Sequence, residues 1–185
     1  MIVFFGPAGA GKSMQGQMLA ARHHWRWLST GQLLRDTKNP EVLELLQTGD
    51  LASDELIGRV LGQALEKAQD IERIILDGFP RNTDQANWLI GEQERLGRKI
   101  DLAIVLEVPR AEIAERLRVR GRADDTPEVI DARLNIYRKE IYPILNLLSE
   151  NNIPIAHVHG VGTVGQVHDA IEAELEDRGV VSLGG

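Results

Sequence analysis

The sequence predicts an α/β fold, a doubly wound parallel sheet, and three observations carry that reading. Short apolar runs at Ile2-Val3-Phe4-Phe5, Trp25-Arg26-Trp27-Leu28, Ile74-Ile75-Leu76, Leu102-Ala103-Ile104-Val105-Leu106 and Ile153-Pro154-Ile155-Ala156-His157-Val158 alternate with segments whose apolar residues recur at helical spacing. The run at 102–106 is nearly continuous in apolar character, as a strand covered by helices on both faces must be. Directly after the first run comes Gly6-Pro7-Ala8-Gly9-Ala10-Gly11-Lys12-Ser13, a complete Gly-x-x-x-x-Gly-Lys-Ser that leads into a helix-compatible segment.

Bulk properties narrow the class. A chain of 185 residues fits one domain, 1–185, with room for small insertions. Lys and Arg number 21 against 28 Asp and Glu, a net charge of −7, so neither nucleic acid nor an anionic membrane is an expected partner. Any bound anion has to be gripped locally. With no cysteine there is no disulfide framework and no cysteine-ligated zinc site. The first strand begins at Ile2, and no apolar run approaches the roughly 20 residues of a membrane helix, so a soluble cytoplasmic protein is expected.

Taken in order, Ile2 to Phe5 is rich in β-branched and aromatic residues and reads as a buried strand, followed by a helix that continues through Gly16. His23 and His24 fall at that helix's C-terminus, where the dipole favours a partly protonated imidazole, and Trp25 and Trp27 read as core packing on a second strand. Ser29 with Gln32 makes a capping box for the next helix, which continues through Arg35. Asn39-Pro40-Glu41 interrupts it, Val42, Leu43, Leu45 and Leu46 begin another, and Gly49-Asp50-Leu51-Ala52 is a turn. Ser53-Asp54-Glu55 opens a third helix with an apolar stripe at Ile57, Val60, Leu61, Ala64 and Leu65. Three helical pieces between two strands exceed an ordinary crossover, so this region reads as a working insertion.

The strand at 74–76 ends in Asp77-Gly78-Phe79-Pro80-Arg81, charged residues where open parallel sheets bind ligands, with a helix from about Asn82. After the strand at 102–106, a helix at 110–120 and a polar turn at 121–125 lead to Thr126-Pro127-Glu128, a helix start with Pro at the first helical position. That long helix is expected to reach about Ser149. The last strand is an edge strand because of Pro154, and Thr163 with Gln166 forms a capping box for the final helix. His157 and His159 share one strand face without nearby acids, so a metal site is not expected there.

The chemistry follows from the glycine-rich loop. Its glycines let backbone N–H groups converge on one anion, the following helix adds the positive end of its dipole, Lys12 reaches the β- and γ-phosphates, and Ser13 offers a hydroxyl to magnesium. Phosphoryl transfer needs little covalent help but concentrated positive charge around the moving group. Arg110, Arg116, Arg118, Arg120, Arg122, Arg133 and Arg138 supply it within one short section, Arg116 and Arg120 on one helical face. The same arginines could instead form a solvated face paired with Glu112, Glu115, Asp124 and Asp125.

Together these motifs resemble the adenylate kinases and, more broadly, the nucleoside monophosphate kinase family. The matching pieces are the loop at 6–13, Ser29-Thr30-Gly31, Gly49-Asp50-Leu51-Ala52-Ser53-Asp54-Glu55-Leu56, Asp77-Gly78-Phe79-Pro80-Arg81 and Arg122-Ala123-Asp124-Asp125, in order along nearly the whole chain. The resemblance implies a five-stranded parallel core, a helical monophosphate-binding insertion at 30–59, a short lid at 121–125, no zinc, and Mg2+ as the working ion. It implies ATP contacts at Gly9, Ala10, Gly11, Lys12, Ser13, Met14, Arg116 and Gly162, with Val164 beside them. It implies AMP contacts at Thr30, Arg35, Asp50, Ala52, Gly78, Arg81, Gln85, Arg122 and Arg133. Lys12, Arg81, Arg120, Arg122 and Arg133 would be catalytic, and Ser13 and Asp77 would hold magnesium directly or through water. The implied activity is transfer of the γ-phosphoryl group of Mg-ATP to AMP, giving two ADP, by a monomer.

Three features depart from the family pattern: Ser13-Met14 stands where many members have Gly-Thr, Gln32 replaces the common acid, and the segment between Arg35 and Gly49 is short. A kinase for UMP or CMP and a noncatalytic nucleotide-binding regulator are the alternatives. Relatives that act on pyrimidine monophosphates tend to carry Asn at the position of Gln85 and Ala at that of Thr30, which favours adenine. Gln85 also has the spacing to close a capping box with Asn82. A signalling GTPase is disfavoured, since no Asn-Lys-x-Asp occurs and Thr37-Lys38-Asn39-Pro40 ends wrongly.

Overall fold

The computed structural model describes residues 1–37, 42, 53–121 and 126–182. Five strands, β1 (Ile2–Phe5), β2 (Arg26–Ser29), β3 (Ile74–Asp77), β4 (Leu102–Glu107) and β5 (Ile155–His159), form one parallel sheet in the order β2-β3-β1-β4-β5. β5 is an edge strand, as Pro154 requires, although the Pro154 carbonyl still accepts from the Ala103 N–H. Successive residues of β1 point to opposite faces, and both faces are dry. Val3 and Phe5 join a core with Leu61, Leu89 and Ile144, while Ile2 and Phe4 join another with Leu19, Ile171 and Leu175. Each fully buried Leu or Ile contributes about 1.5–3 kcal/mol relative to exposure.

Seven helices are seen among the described residues: α1 (Lys12–His23), α2 (Thr30–Asp36), α3 (Asp54–Lys67), α4 (Thr83–Leu96), α5 (Arg110–Arg120), α6 (Pro127–Glu150) and α7 (Val164–Asp177). α1 and α7 cover one face of the sheet; α3, α4 and α6 cover the other. The chain therefore leaves β1 and β3, which are neighbours, towards opposite faces. Their carboxyl ends open a crevice, the place where parallel sheets of this kind bind ligands.

The helix boundaries follow their caps. Ser53, Asn82, Thr126 and Thr163 each accept a bond from the backbone N–H three residues on, and at Thr163 the Gln166 side chain completes the box. At Ser29 the box is half made: Ser29 Oγ accepts from Gln32 N at 3.4 Å, but the Gln32 amide turns outward to Asp36 and Arg35. The second strand starts one residue later than expected because the end of α1 captures the Trp25 N–H, bonded to Ala20 O at 3.0 Å; Arg26 N, bonded to Arg73 O, opens β2. The buried face of α3 is also rotated from the expected stripe, to Leu56, Gly58, Leu61, Gly62 and Leu65, since the two glycines admit Trp88 against the helix. The expected helix at 42–46 and turn at 49–52 lie outside the described residues apart from Val42, as does the lid at 121–125 apart from Gly121.

Candidate active site

The turn after β1 takes a shape that needs glycine. Gly9 and Gly11 have φ of 86° and 98°, and a Cβ on Gly9 would lie 3.1 Å from the Leu117 side chain of α5. Gly11 caps α1 without a side-chain hydrogen bond, which leaves the first-turn N–H groups for an anion. Lys12 folds back over the turn, its Nζ donating to Gly6 O at 2.7 Å and Pro7 O at 3.0 Å. Burial of this ammonium lowers its pKa to about 8, against the opposing pull of the Asp77 carboxylate.

β3 brings the second half of the site alongside. Its last residue, Asp77, is 3% exposed and accepts from Ser13 Oγ at 2.5 Å, so a hydroxyl and a carboxylate sit together at the mouth of the phosphate loop. Two hard oxygen donors beside a phosphate cradle fit magnesium. Among the described residues no group of three His, Cys, Asp or Glu side chains is placed to hold a metal by itself. His157 does have an acid nearby, contrary to the sequence expectation, with Nδ1 2.7 Å from Glu107 Oε1. That pair is an exposed contact between β4 and β5.

Next to Asp77, Gly78 O accepts from both Thr30 Oγ1 (3.0 Å) and Arg81 Nε (2.7 Å). Gln85, 4% exposed, has both ends of its amide engaged: Oε1 accepts from Arg81 N at 2.7 Å and Nε2 donates to Asp54 Oδ1 at 2.6 Å. The Asn82 side chain accepts from Gln85 N, but the Gln85 oxygen goes to Arg81 N, so the capping box with Asn82 is half made. Thr30 and Gln85 thus stand in the second rank, behind the wall formed by Gly78, Pro80 and Arg81.

The cleft so built has a volume of about 1060 Å³. Of the residues expected at the site, Gly9, Ala10, Gly11, Lys12, Ser13, Met14, Arg35, Asp77, Gly78, Arg81, Arg116, Arg120, Arg133, Gly162 and Val164 all line it. Asp50, Ala52 and Arg122 lie outside the described residues. The arginine cluster divides. Arg110 pairs with Asp131 and Arg118 with Glu115 on exposed surface, whereas Arg116 bonds Glu112, Ala10 O at 3.4 Å and Gly160 O at 2.8 Å within the cleft wall. Gly160 and Tyr137 also line the cleft and were missed in the sequence, where nothing distinguishes them from an ordinary strand end and an amphipathic helix.

The adenylate kinase family model matches residues 4–153 of this chain. The chain is 38% identical over 172 residues to the adenylate kinase of Mycobacterium leprae, covering 90% of this chain and 93% of that protein. It is 36% identical over 172 residues to the adenylate kinase of Mycobacteroides abscessus, with the same coverage, and 34% identical over 180 residues to that of Prochlorococcus marinus, covering 94% and 97%. A five-stranded parallel sheet, a phosphate-binding loop after its central strand, and relatives of this name over nine-tenths of the length lead to one conclusion: the chain belongs to the adenylate kinase family of nucleoside monophosphate phosphotransferases.

Proposed function

We propose that this kinase transfers the γ-phosphoryl group of ATP to AMP, giving two ADP, and that the residues of the cleft divide the work as follows. The observation that supports this is one cleft holding Lys12 and the phosphate loop on one wall and Arg81, Arg120 and Arg133 on others. The loop's N–H groups and Lys12 bind the donor's phosphates. Arg35 and Arg81, with Arg122, hold the acceptor's phosphate so that one of its oxygens points in line at the γ-phosphorus. That oxygen forms the new P–O bond as the bond to the ADP oxygen breaks, and Arg120, Arg122 and Arg133 face the equatorial oxygens where charge shifts. Magnesium, when bound, screens the charge between the β- and γ-phosphates, and Ser13 and Asp77 would hold it, directly or through water.

In this reading the acceptor's base is read by Gln85, whose amide gives up its bonds to Arg81 N and Asp54 Oδ1 to offer a donor to adenine N1 and an acceptor to N6, beside Thr30, with Asp50 and Ala52 completing the pocket. The enzyme then works as a cytoplasmic monomer on ATP, AMP and ADP. The test is kcat/KM for AMP, CMP, UMP and GMP, repeated with Gln85→Leu. AMP should lead by several orders of magnitude, because a wrong base cannot replace the two bonds that the buried amide gives up, and Gln85→Leu should erase most of that lead. Equal use of CMP or UMP by the wild type would replace AMP with a pyrimidine acceptor.

A further inference from the structure

Between α1 and α7 runs a chain of buried polar side chains that the proposed reaction leaves unused. Gln15 is 3% exposed, His168 6% and Glu172 7%. Gln15 Nε2 donates to Val164 O at 3.0 Å, and its Oε1 lies 3.2 Å from His168 Nδ1. These two partners fix the amide. A carbonyl can only accept, so the amide nitrogen faces Val164, and the oxygen left for His168 requires the imidazole hydrogen on Nδ1. His168 Nε2 lies 3.4 Å from Glu172 Oε1, and the same carboxylate takes His23 Nε2 at 2.9 Å and Arg22 Nε at 3.3 Å. His23 in turn stacks on Trp25 with ring centroids 4.5 Å apart. α1 is therefore bound to α7 at its first turn by Gln15 and at its last turn by Arg22 and His23.

What these contacts hold is a separation. α1 begins at the phosphate loop; α7 begins at Val164, the end of a turn that enters the cleft at Gly160 and Gly162. Arg116 ties the other end of that turn to the loop, through Gly160 O and Ala10 O. Met14 and Val164 stand 53% and 45% exposed on the cleft wall, apolar surface of the kind that flanks a flat base. A buried, fully directed amide at this point is specific where an apolar side chain would have packed as well.

We propose that Gln15 and His168 are positioning residues for the base of the donor nucleotide: through the Val164 carbonyl they hold the 160–164 turn at the distance from the phosphate loop that ATP spans. The proposal rests on the reading of Gly162 and Val164 as backbone contacts of the ATP base. Gln15→Met keeps the length and removes both polar ends; His168→Leu removes the donor to Gln15; His168→Asn puts an N–H back near the place of Nδ1. In Gln15→Met and His168→Leu, KM for ATP should rise about five- to tenfold, the loss of one directed hydrogen bond, while kcat at saturating ATP and KM for AMP stay within about twofold. His168→Asn should return most of the ATP affinity.

Inorganic tripolyphosphate, which has no base, serves as the second probe. Its inhibition constant against ATP should be the same in the wild type and all three variants. An unchanged KM for ATP in Gln15→Met and His168→Leu overturns the proposal. So does a loss of tripolyphosphate affinity by the same factor as ATP, since the network would then support the phosphate loop itself. If Gln15→Met fails to fold, the two His168 variants carry the test between them. Failure of the underlying reading looks different: the wild type would then bind tripolyphosphate as tightly as ATP, whatever the variants do.

Discussion

Lys12 is a buried ammonium at the phosphate loop, and its surroundings make a pH prediction. Burial lowers its pKa to about 8, so the free enzyme holds a charged Lys12 below that pH and a neutral one above it. Because kcat/KM reports the free enzyme, kcat/KM for ATP should fall as pH rises through about 8; kcat should fall only at higher pH, since bound phosphates hold the proton on. A profile flat from pH 7 to about 9.5 would contradict this. Arg120 and Arg133 act later, on charge that develops as the phosphoryl group moves. Arg120→Ala and Arg133→Ala should each lower kcat by about 10²–10³ with little change in melting temperature, and kcat near the wild-type value in both would remove them from the mechanism. Gln85 was singled out in the sequence as a pocket residue, but the structure sets it behind the cleft wall, and its partners were not legible. Asp54 lies 31 residues away, and nothing in the local pattern ties the two together.

At the scale of elements, the approach of α1 to the sheet decides whether the phosphate loop is held. Gly16 faces Trp27 so closely that an added Cβ would sit 2.8 Å from Trp27 Cδ1 and 3.4 Å from Ile75 Cγ2. Alanine is the better helix former by about 1 kcal/mol, yet overpacking a core contact costs about 1–3 kcal/mol, and here the second effect wins. Gly16→Ala should therefore lower the melting temperature by about 2–4 °C in a thermal unfolding experiment, and a rise would show that α1 can shift without loss. The elements that the sequence placed well are those with a local physical cause, as at Ser53, Thr126 and Thr163, where the capping hydroxyl sits beside the helix it starts. Elsewhere a distant contact overrides the pattern. The face of α3 turns because Trp88 packs on Gly58 and Gly62, and the amide chain from Gln15 to Glu172 joins helices about 150 residues apart.

At the scale of the whole molecule, the sheet order puts the turns after β1 and β3 side by side and sends their helices to opposite faces, so the phosphate loop and Asp77 meet in a crevice without any long-range design beyond the topology. That both motifs end strands of one parallel sheet was legible, because both follow apolar runs that alternate with helices; that those strands are neighbours was not, since the alternation does not order the strands. The division of the arginines was not, since Arg110 and Arg118 look the same in sequence as Arg116 and Arg120 until α5 is packed against the loop through Ile113 and Leu117. The central claim is that this crevice moves a phosphoryl group between two nucleotides. The most direct measurement is a coupled assay of ADP formation from ATP and AMP with magnesium, run beside Lys12→Met. The wild type should form two ADP for each ATP consumed, only when AMP is present, and Lys12→Met should be nearly inactive while remaining folded. A wild-type protein that binds ATP but forms no ADP with AMP would contradict the account.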